Sequence, residues 1–247
     1  MYADGASVSR MRVDWRGSRL IPPQCAGCAP CRHQRHGGVS RVAYGAPMDQ
    51  IPDSSMTRAA GRLLRSASAP AMVNHCLRSH AWAVALAAVD GLAFDAELLF
   101  VAAALHDLGL EEDYERGNAF EEDGGRAAAA FVRHSGGTDA AARVVERAVV
   151  LHVAREVTLA DGVESYLLWE ATGADVSGSR LGDLATPWID NVMASYPRLG
   201  FVADFGGRLA DQAARKPHSR AAQLVRGGLL ERLAACPLNG PELRPTS

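Results

Sequence analysis

The residues best suited to chemistry in this chain are imidazoles and carboxylates spread over a hundred positions. His106 and Asp107 stand side by side in Ala104-Leu105-His106-Asp107-Leu108-Gly109, closing the apolar run Leu98 to Leu105. That run is hydrophobic on every side and reads as a buried helix. Two ionisable groups ending a buried helix are costly unless they are paired or hold a cation. Adjacent His and Asp can both ligate one divalent ion if other segments supply the remaining donors. His75 precedes the pair, Asp175 follows it, and Glu121 and His152 lie between.

Helical periodicity places most of these residues. Ser54 or Ser55 can cap a first helix containing Met56, Ala60, Leu63 and Leu64. Pro70 fits the first turn of a second helix, which runs to about Val89 and stops before Asp90-Gly91. On it His75, Ser79, Trp82 and Leu86 share one face at spacings of four, three and four. His75 therefore points inward, Arg78 borders the same face, and His80 falls off it toward solvent or a pocket rim. By itself an inward His reads as a hydrogen-bonded core residue before it reads as a ligand. Asp95 can cap the third helix, which delivers His106-Asp107. Asn118-Ala119-Phe120-Glu121 opens a fourth, with Glu121 at the third position of a capping box. Glu121 is thus either a cap or a proton carrier in the active site. Val145, Ala148, Val149 and His152 share a face of a helix from about Asp139 to Val153, which aims His152 at a pocket floor. Leu159 to Ala171 is amphipathic, and Gly173 lets the backbone turn out of it before Asp175. A turn aspartate is the bland alternative there. Tyr196-Pro197-Arg198 breaks the next helical run, and helices at about 204–215 and 219–235 read as support.

Composition narrows the function classes. The 247 residues suffice for a real core, and 48% hydrophobic with 22% charged residues are globular values. The net charge of −2 is uneven: residues 1–47 carry seven Arg and two Asp, leaving the rest at −7. An acidic body argues against nucleic acid as a partner. No apolar stretch is long and charge-free enough to span a bilayer. Five Cys do not make a disulfide scaffold at this length, and Cys76 and Cys236 sit in helical, apolar contexts as reduced core residues. With no apolar signal segment at the start, the expected location is cytoplasmic. Residues 1–52 are rich in Gly, Ser, Arg and Pro without periodicity, and are expected to be disordered. They contain Cys25, Cys28, Cys31, His33 and His36, which are zinc-type ligands crowded into too short a stretch for a two-knuckle site. Met48 fits as an alternative start, since globular-looking sequence begins just after it.

From His75 through Arg180 the chain resembles the HD superfamily of metal-dependent hydrolases. The residues that carry the resemblance are His75, His106-Asp107 in ALHDLG and Asp175 in GADVSG. The phrases Asn74-His75-x-x-Arg78-Ser79, Phe120-Glu121-x-x-Gly124 and Gly173-Ala174-Asp175-x-x-Gly178-x-Arg180 are similar to the branch that includes cyanamide hydratases. The resemblance covers roughly residues 56 to 210. It implies an all-α fold: one HD-type helical domain over residues 53–236, after the extension 1–52 and before a loose tail 237–247.

The resemblance also implies a ligand set of His75, His106, Asp107 and Asp175. Two imidazoles and two carboxylates suit one divalent transition metal: zinc, iron, manganese or nickel. Such an ion lowers the pKa of a bound water toward neutrality and so supplies hydroxide. Glu121 or His152 would move the proton, assisted by Asp107, and Arg78 and Arg180 would bind an anionic substrate group, with Arg180 alternatively holding Asp175. Many HD proteins carry a His where this chain has Phe120-Glu121, which leaves the role of Glu121 open. The implied activity is hydrolysis or hydration of a small molecule, cyanamide-hydratase-like by resemblance. Three alternatives accompany it: a phosphohydrolase of nucleotides or small phosphoesters, a di-iron oxygenase, and a non-catalytic metal-containing binding module. A homo-oligomer is left open; neither a nucleic acid nor a membrane is expected as a partner.

Overall fold

The computed structural model describes residues 47–240. The expectations placed on residues 1–46, including Cys25, Cys28, Cys31, His33 and His36, lie outside the described residues, as does the tail from 241 onward. Among the described residues there are ten α-helices and no strand, so the all-α class holds. In chain order they are α1 (Ser55–Ala67), α2 (Pro70–Asp90), α3 (Ala96–Leu105), α4 (Phe120–His134), α5 (Asp139–Leu151), α6 (Val163–Ser177), α7 (Thr186–Ser195), α8 (Phe201–Arg215), α9 (Arg220–Arg226) and α10 (Leu229–Ala234). No helix among them is long and apolar enough to cross a membrane.

The axis of the fold is α3. Its N-terminus is held by Asp95, whose Oδ1 accepts from the backbone N–H groups of Glu97 and Leu98 at 3.0 Å each. Every residue from Leu99 to Leu105 is buried, and α1, α2, α5 and α6 pack around it. Each buried Leu there contributes roughly 1.5–3 kcal/mol by leaving water. The helix ends at the core, and that is where His106 and Asp107 emerge. Cys76 and Cys236 are buried and free, as their contexts suggested. A smaller apolar cluster, which includes Met72, Phe120, Phe201, Phe205 and Leu209, lies on the other side of the His75 ring.

Several local expectations change. The capping box at α4 does not form: the helix starts at Phe120, behind Ala119, with no side-chain cap. Asp123 folds back instead, accepting from the backbone N–H of Arg116 (2.7 Å) and Asn118 (3.1 Å) and from Asn118 Nδ2 (2.8 Å). Glu121 is left at the second helical position, outside the expected capping box, with its carboxylate turned to its own backbone N–H. His80 is not at solvent or a rim; it is buried, edge-on to Phe100 at 5.1 Å between centroids. The reason is that α2 is buried around its whole circumference from His75 to Ala87.

The sixth helix also differs. Leu159–Asp161 is a separate 3-10 turn, and α6 runs on through Gly173 to Gly178, whose φ of 80° ends it. Gly173 is needed for space rather than for turning: a Cβ there would stand 2.7 Å from Ser179 Oγ. Asp175 therefore projects from a helix into the core, not from a turn. Finally, the single helix expected at 219–235 is broken at Gly227-Gly228, and the start of the tail is fixed rather than loose. Asn239 is buried, with Nδ2 donating to the carbonyls of Leu233 (2.8 Å) and Ala234 (3.0 Å).

Candidate metal centre

Four helix positions bring the candidate side chains together. His75 comes from the middle of α2. His106 and His152 each follow the last residue of a helix, α3 and α5, where carbonyl groups lack helical partners. Both use that feature in the same way: His106 Nδ1 donates to the Ala103 carbonyl at 2.8 Å, and His152 Nδ1 donates to the Val149 carbonyl at 2.5 Å. A carbonyl oxygen can only accept, so the proton of each neutral ring is on Nδ1 and the lone pair is on Nε2. His75 Nδ1 donates to Asp175 Oδ2 at 2.7 Å, which leaves its Nε2 as the lone-pair nitrogen too.

All three Nε2 atoms converge on Asp107. His75 Nε2 and His106 Nε2 are 3.1 Å apart, and they stand 3.4 and 3.3 Å from Asp107 Oδ2. His152 Nε2 is 3.5 Å from the other oxygen, Oδ1. These approaches lack hydrogen-bond geometry at the carboxylate, so both Asp107 oxygens are buried without a donor. A buried carboxylate facing three lone pairs needs a positive charge, which a proton or a cation can supply. The electrostatics agree. Burial pushes the His106 imidazole down, but Asp107 and Cys76 together outweigh it and the net shift is well upward. Burial likewise pushes Asp107 up, and His106, with His152 and His75, brings it well below the usual carboxylate range. Burial lowers His152, with only partial relief from Asp107.

The donor geometry fits a metal. Donors about 2.0–2.1 Å from a zinc-sized ion stand about 3.3 Å apart at the tetrahedral angle. The triangle of His75 Nε2, His106 Nε2 and Asp107 Oδ2 has edges of 3.1, 3.3 and 3.4 Å. An Nδ1–H bound to oxygen behind each imidazole is the usual support of a metal-ligating His.

Asp175 is placed behind this triangle, not in it. Its carboxylate takes Arg78 Nε (2.7 Å) and Trp82 Nε1 (2.9 Å) on Oδ1, and Arg78 Nη2 (2.8 Å) and His75 Nδ1 (2.7 Å) on Oδ2. Burial raises its pKa, but Arg78 and His75 together bring it well below the usual range. Asp175 thus orients His75 from the ring nitrogen opposite the triangle. Phe201 supports the same ring from its face, stacked at 4.5 Å.

A cavity of about 350 Å³ opens over the triangle and includes His75, His106, Asp107 and His152 in its wall. Its size suits a small molecule. Arg78 does not line it, being fully buried against Asp175 and the carbonyls of Tyr196 and Pro197. Arg180 does not line it either: it grips Asp90 with two nitrogens at 2.8 and 2.9 Å and Asp183 at 2.8 Å. Glu121 is buried outside the cavity, with Oε2 unpartnered and its pKa raised by burial.

The cavity wall contains residues that the sequence did not single out: Arg155, Trp169, Glu170, Arg220 and Arg232. A partial signal existed, since Trp169, Thr172, Gly173 and Val176 recur at helical spacing along one face of α6. Nothing local ties that face to Arg220 or Arg232 on α9 and α10. No family model matches the chain, and no curated protein matches it.

Proposed function

We propose that the chain is a metal-dependent hydrolase or hydratase of the HD type that acts on a small molecule. One observation carries this reading: three imidazoles, each with Nδ1 anchored, turn their Nε2 atoms onto a buried carboxylate that has no hydrogen-bond donor of its own. His75, His106 and Asp107 would hold one divalent transition ion. When bound, such an ion polarises an electrophile and acidifies water beside it.

The chain's own residues do the rest. Asp175, held by Arg78 and Trp82, fixes the His75 ring. His152 accepts a proton at Nε2, because its Nδ1–H is committed to Val149. Asp107 Oδ1, 3.5 Å from that nitrogen, stabilises the imidazolium that results. A carbon electrophile suits the floor better than a phosphoester. Phosphoryl oxygens at the reacting centre call for several cations beside them, yet Arg78 and Arg198 bind Asp175 and neither lines the cavity, and the arginines that do line it, Arg155, Arg220 and Arg232, are not among its buried floor residues.

The test is metal analysis of protein purified without added metal, followed by a panel of cyanamide, nitriles, nucleotides and simple phosphoesters. Wild type is expected to retain a transition ion that His106→Ala and Asp107→Ala both lose, with helix content by circular dichroism unchanged. Full metal occupancy in Asp107→Ala would overturn the assignment. Metal retention with no turnover on any class would favour the binding-module alternative.

A further inference from the structure

The cavity is polar at its floor, apolar along its walls and basic at its rim. The floor is the triangle with His152, all buried. The walls include Val153, Val176, Phe205, Leu209 and Leu224. Three arginines from separate elements also line it: Arg155 from the segment after α5, Arg220 at the start of α9 and Arg232 on α10. Arg155 and Arg232 are exposed and Arg220 is half-buried, which sets them at the mouth.

Among the described residues, none of these guanidiniums is ion-paired to a carboxylate. Arg220 donates to the Val153 carbonyl (2.5 Å) and to Gln223 Oε1 (3.1 Å), and Arg232 donates to the Gly227 carbonyl (2.6 Å). These bonds hold the side chains in place without neutralising them. Glu121 feels the charge of Arg220 but lies outside the cavity. Glu170, a carboxylate in the wall, is 3.8 Å from Arg180, which it shares with Asp90 and Asp183, and burial raises its pKa, so one weakened acid faces the three arginines of the lining. The chain beyond residue 47 carries a net charge of −7, so three unneutralised arginines around one opening are a local reversal of sign.

We propose that the cavity binds an amphipathic small molecule by an acid group, carboxylate or phosphate, seated on Arg155, Arg220 and Arg232. The apolar body lies along the walls and the end opposite the acid reaches the floor. The acid is a handle and is not the group that reacts. Only the direction of the bound molecule rests on reading the floor as a reaction centre; the seat of the acid stands on the rim alone.

Guanidinium contacts to an acid are charge-assisted and two-pronged, and their loss weakens binding on the order of ten-fold or more. The experiment is calorimetric titration of the full chain with hexanoate, hexyl phosphate and the neutral hexanamide. Wild type, the double variant Arg155→Gln/Arg232→Gln and metal-chelated wild type are compared. Both changed side chains are exposed, so the fold is retained.

The expected result is saturable binding of at least one acid, on the order of ten-fold tighter than hexanamide. The double variant reduces it to the level of hexanamide, and chelation leaves it in place. Whichever acid binds tighter identifies the handle. Equal binding of hexanamide and both acids, no saturable binding of either acid, or acid binding lost on chelation but kept in the arginine variant would each overturn the proposal. Metal content, measured on the same preparations, reports separately on the floor.

Discussion

Arg78 and Asp175 form a wholly buried, two-pronged ion pair, Nε to Oδ1 at 2.7 Å and Nη2 to Oδ2 at 2.8 Å. Neither residue lines the cavity, yet the pair decides which way His75 faces. Asp175 has to accept from His75 Nδ1, so Nε2 is turned to the triangle. Trp82 and the Asp175 carbonyl contact to Arg198 lock the same carboxylate-bearing stretch of α6 in place. Two residues that looked like a metal ligand and a substrate clamp therefore act together as the mount for a third.

Asp175→Asn tests that mount. The change leaves Arg78 as a buried charge without its counter-ion, and breaking such a pair costs about 3–5 kcal/mol. Loss of the orienting carboxylate behind a ligating His also lowers metal affinity about 10–100-fold. Urea unfolding and metal titration of the same variant measure the two effects. A stable protein with full metal affinity would show that His75 does not depend on Asp175.

Gly109→Ala tests how the His106-Asp107 turn is seated. A Cβ at Gly109 would stand 1.9 Å from the Phe120 carbonyl oxygen and 2.8 Å from the Gly124 nitrogen, both backbone atoms that cannot swing aside. The turn must move away from α4, and the expected loss is about 3 kcal/mol. Gly91→Ala is the control: that site is open but has a φ of 67°, so only backbone strain of about 1–2 kcal/mol applies. Equal melting temperatures for the two variants would contradict the close contact.

His80 gives a pH prediction. Burial lowers its pKa from 6.5 to about 4. Between those values the unfolded chain binds a proton that the folded chain refuses, so stability falls as pH drops from 6.5 toward 4. The full contribution is about 3 kcal/mol. His80→Gln removes this group, so its unfolding free energy should decline less than that of wild type over the window. Urea melts at pH 7, 5 and 4 measure the difference, and parallel curves would remove His80 from the account.

Proton handling separates His152 from Glu121. His152→Gln is expected to lower turnover about 10²–10⁴-fold while metal content stays near wild type. Glu121→Gln is expected to leave turnover and metal content unchanged, because Glu121 lies outside the cavity. Burial raises its pKa and leaves Oε2 without a partner, so the neutral amide is expected to be neutral or mildly favourable for stability. The measurement is turnover and bound metal on both variants with whichever panel substrate is active. A Glu121→Gln defect as large as that of His152→Gln would reverse the assignment.

Much of the architecture was legible because it depends on local rules. The apolar run before His106 made α3 a buried helix, Asp95 marked one helix start, the Ser54-Ser55 pair marked another whose cap is Ser54, and Gly91 marked a stop. Periodicity of 3.6 aimed His75 and His152 inward. What the local rules missed were competitions between neighbours. Asp123 outcompeted Glu121 for the loop N–H groups before α4, and Gly173 served a contact with Ser179 rather than a turn. Periodicity also left His80 at a surface, because it says which residues share a face but not how many faces the rest of the chain covers.

The sequence by itself determined the helical class and the inward imidazoles with the His106-Asp107 pair, because helix formation and capping act over a few residues. Only the tertiary structure decided that Asp175 supports His75 instead of joining the triangle. It also decided that Arg78 and Arg180 are tied to acids and that Arg155, Arg220 and Arg232 meet at one mouth. Charges interact through space at distances of a few ångströms, and which charges come that close is set by how helices far apart in the chain pack. Arg78 and Asp175 are separated by 97 positions in sequence and by 2.7 Å in the fold.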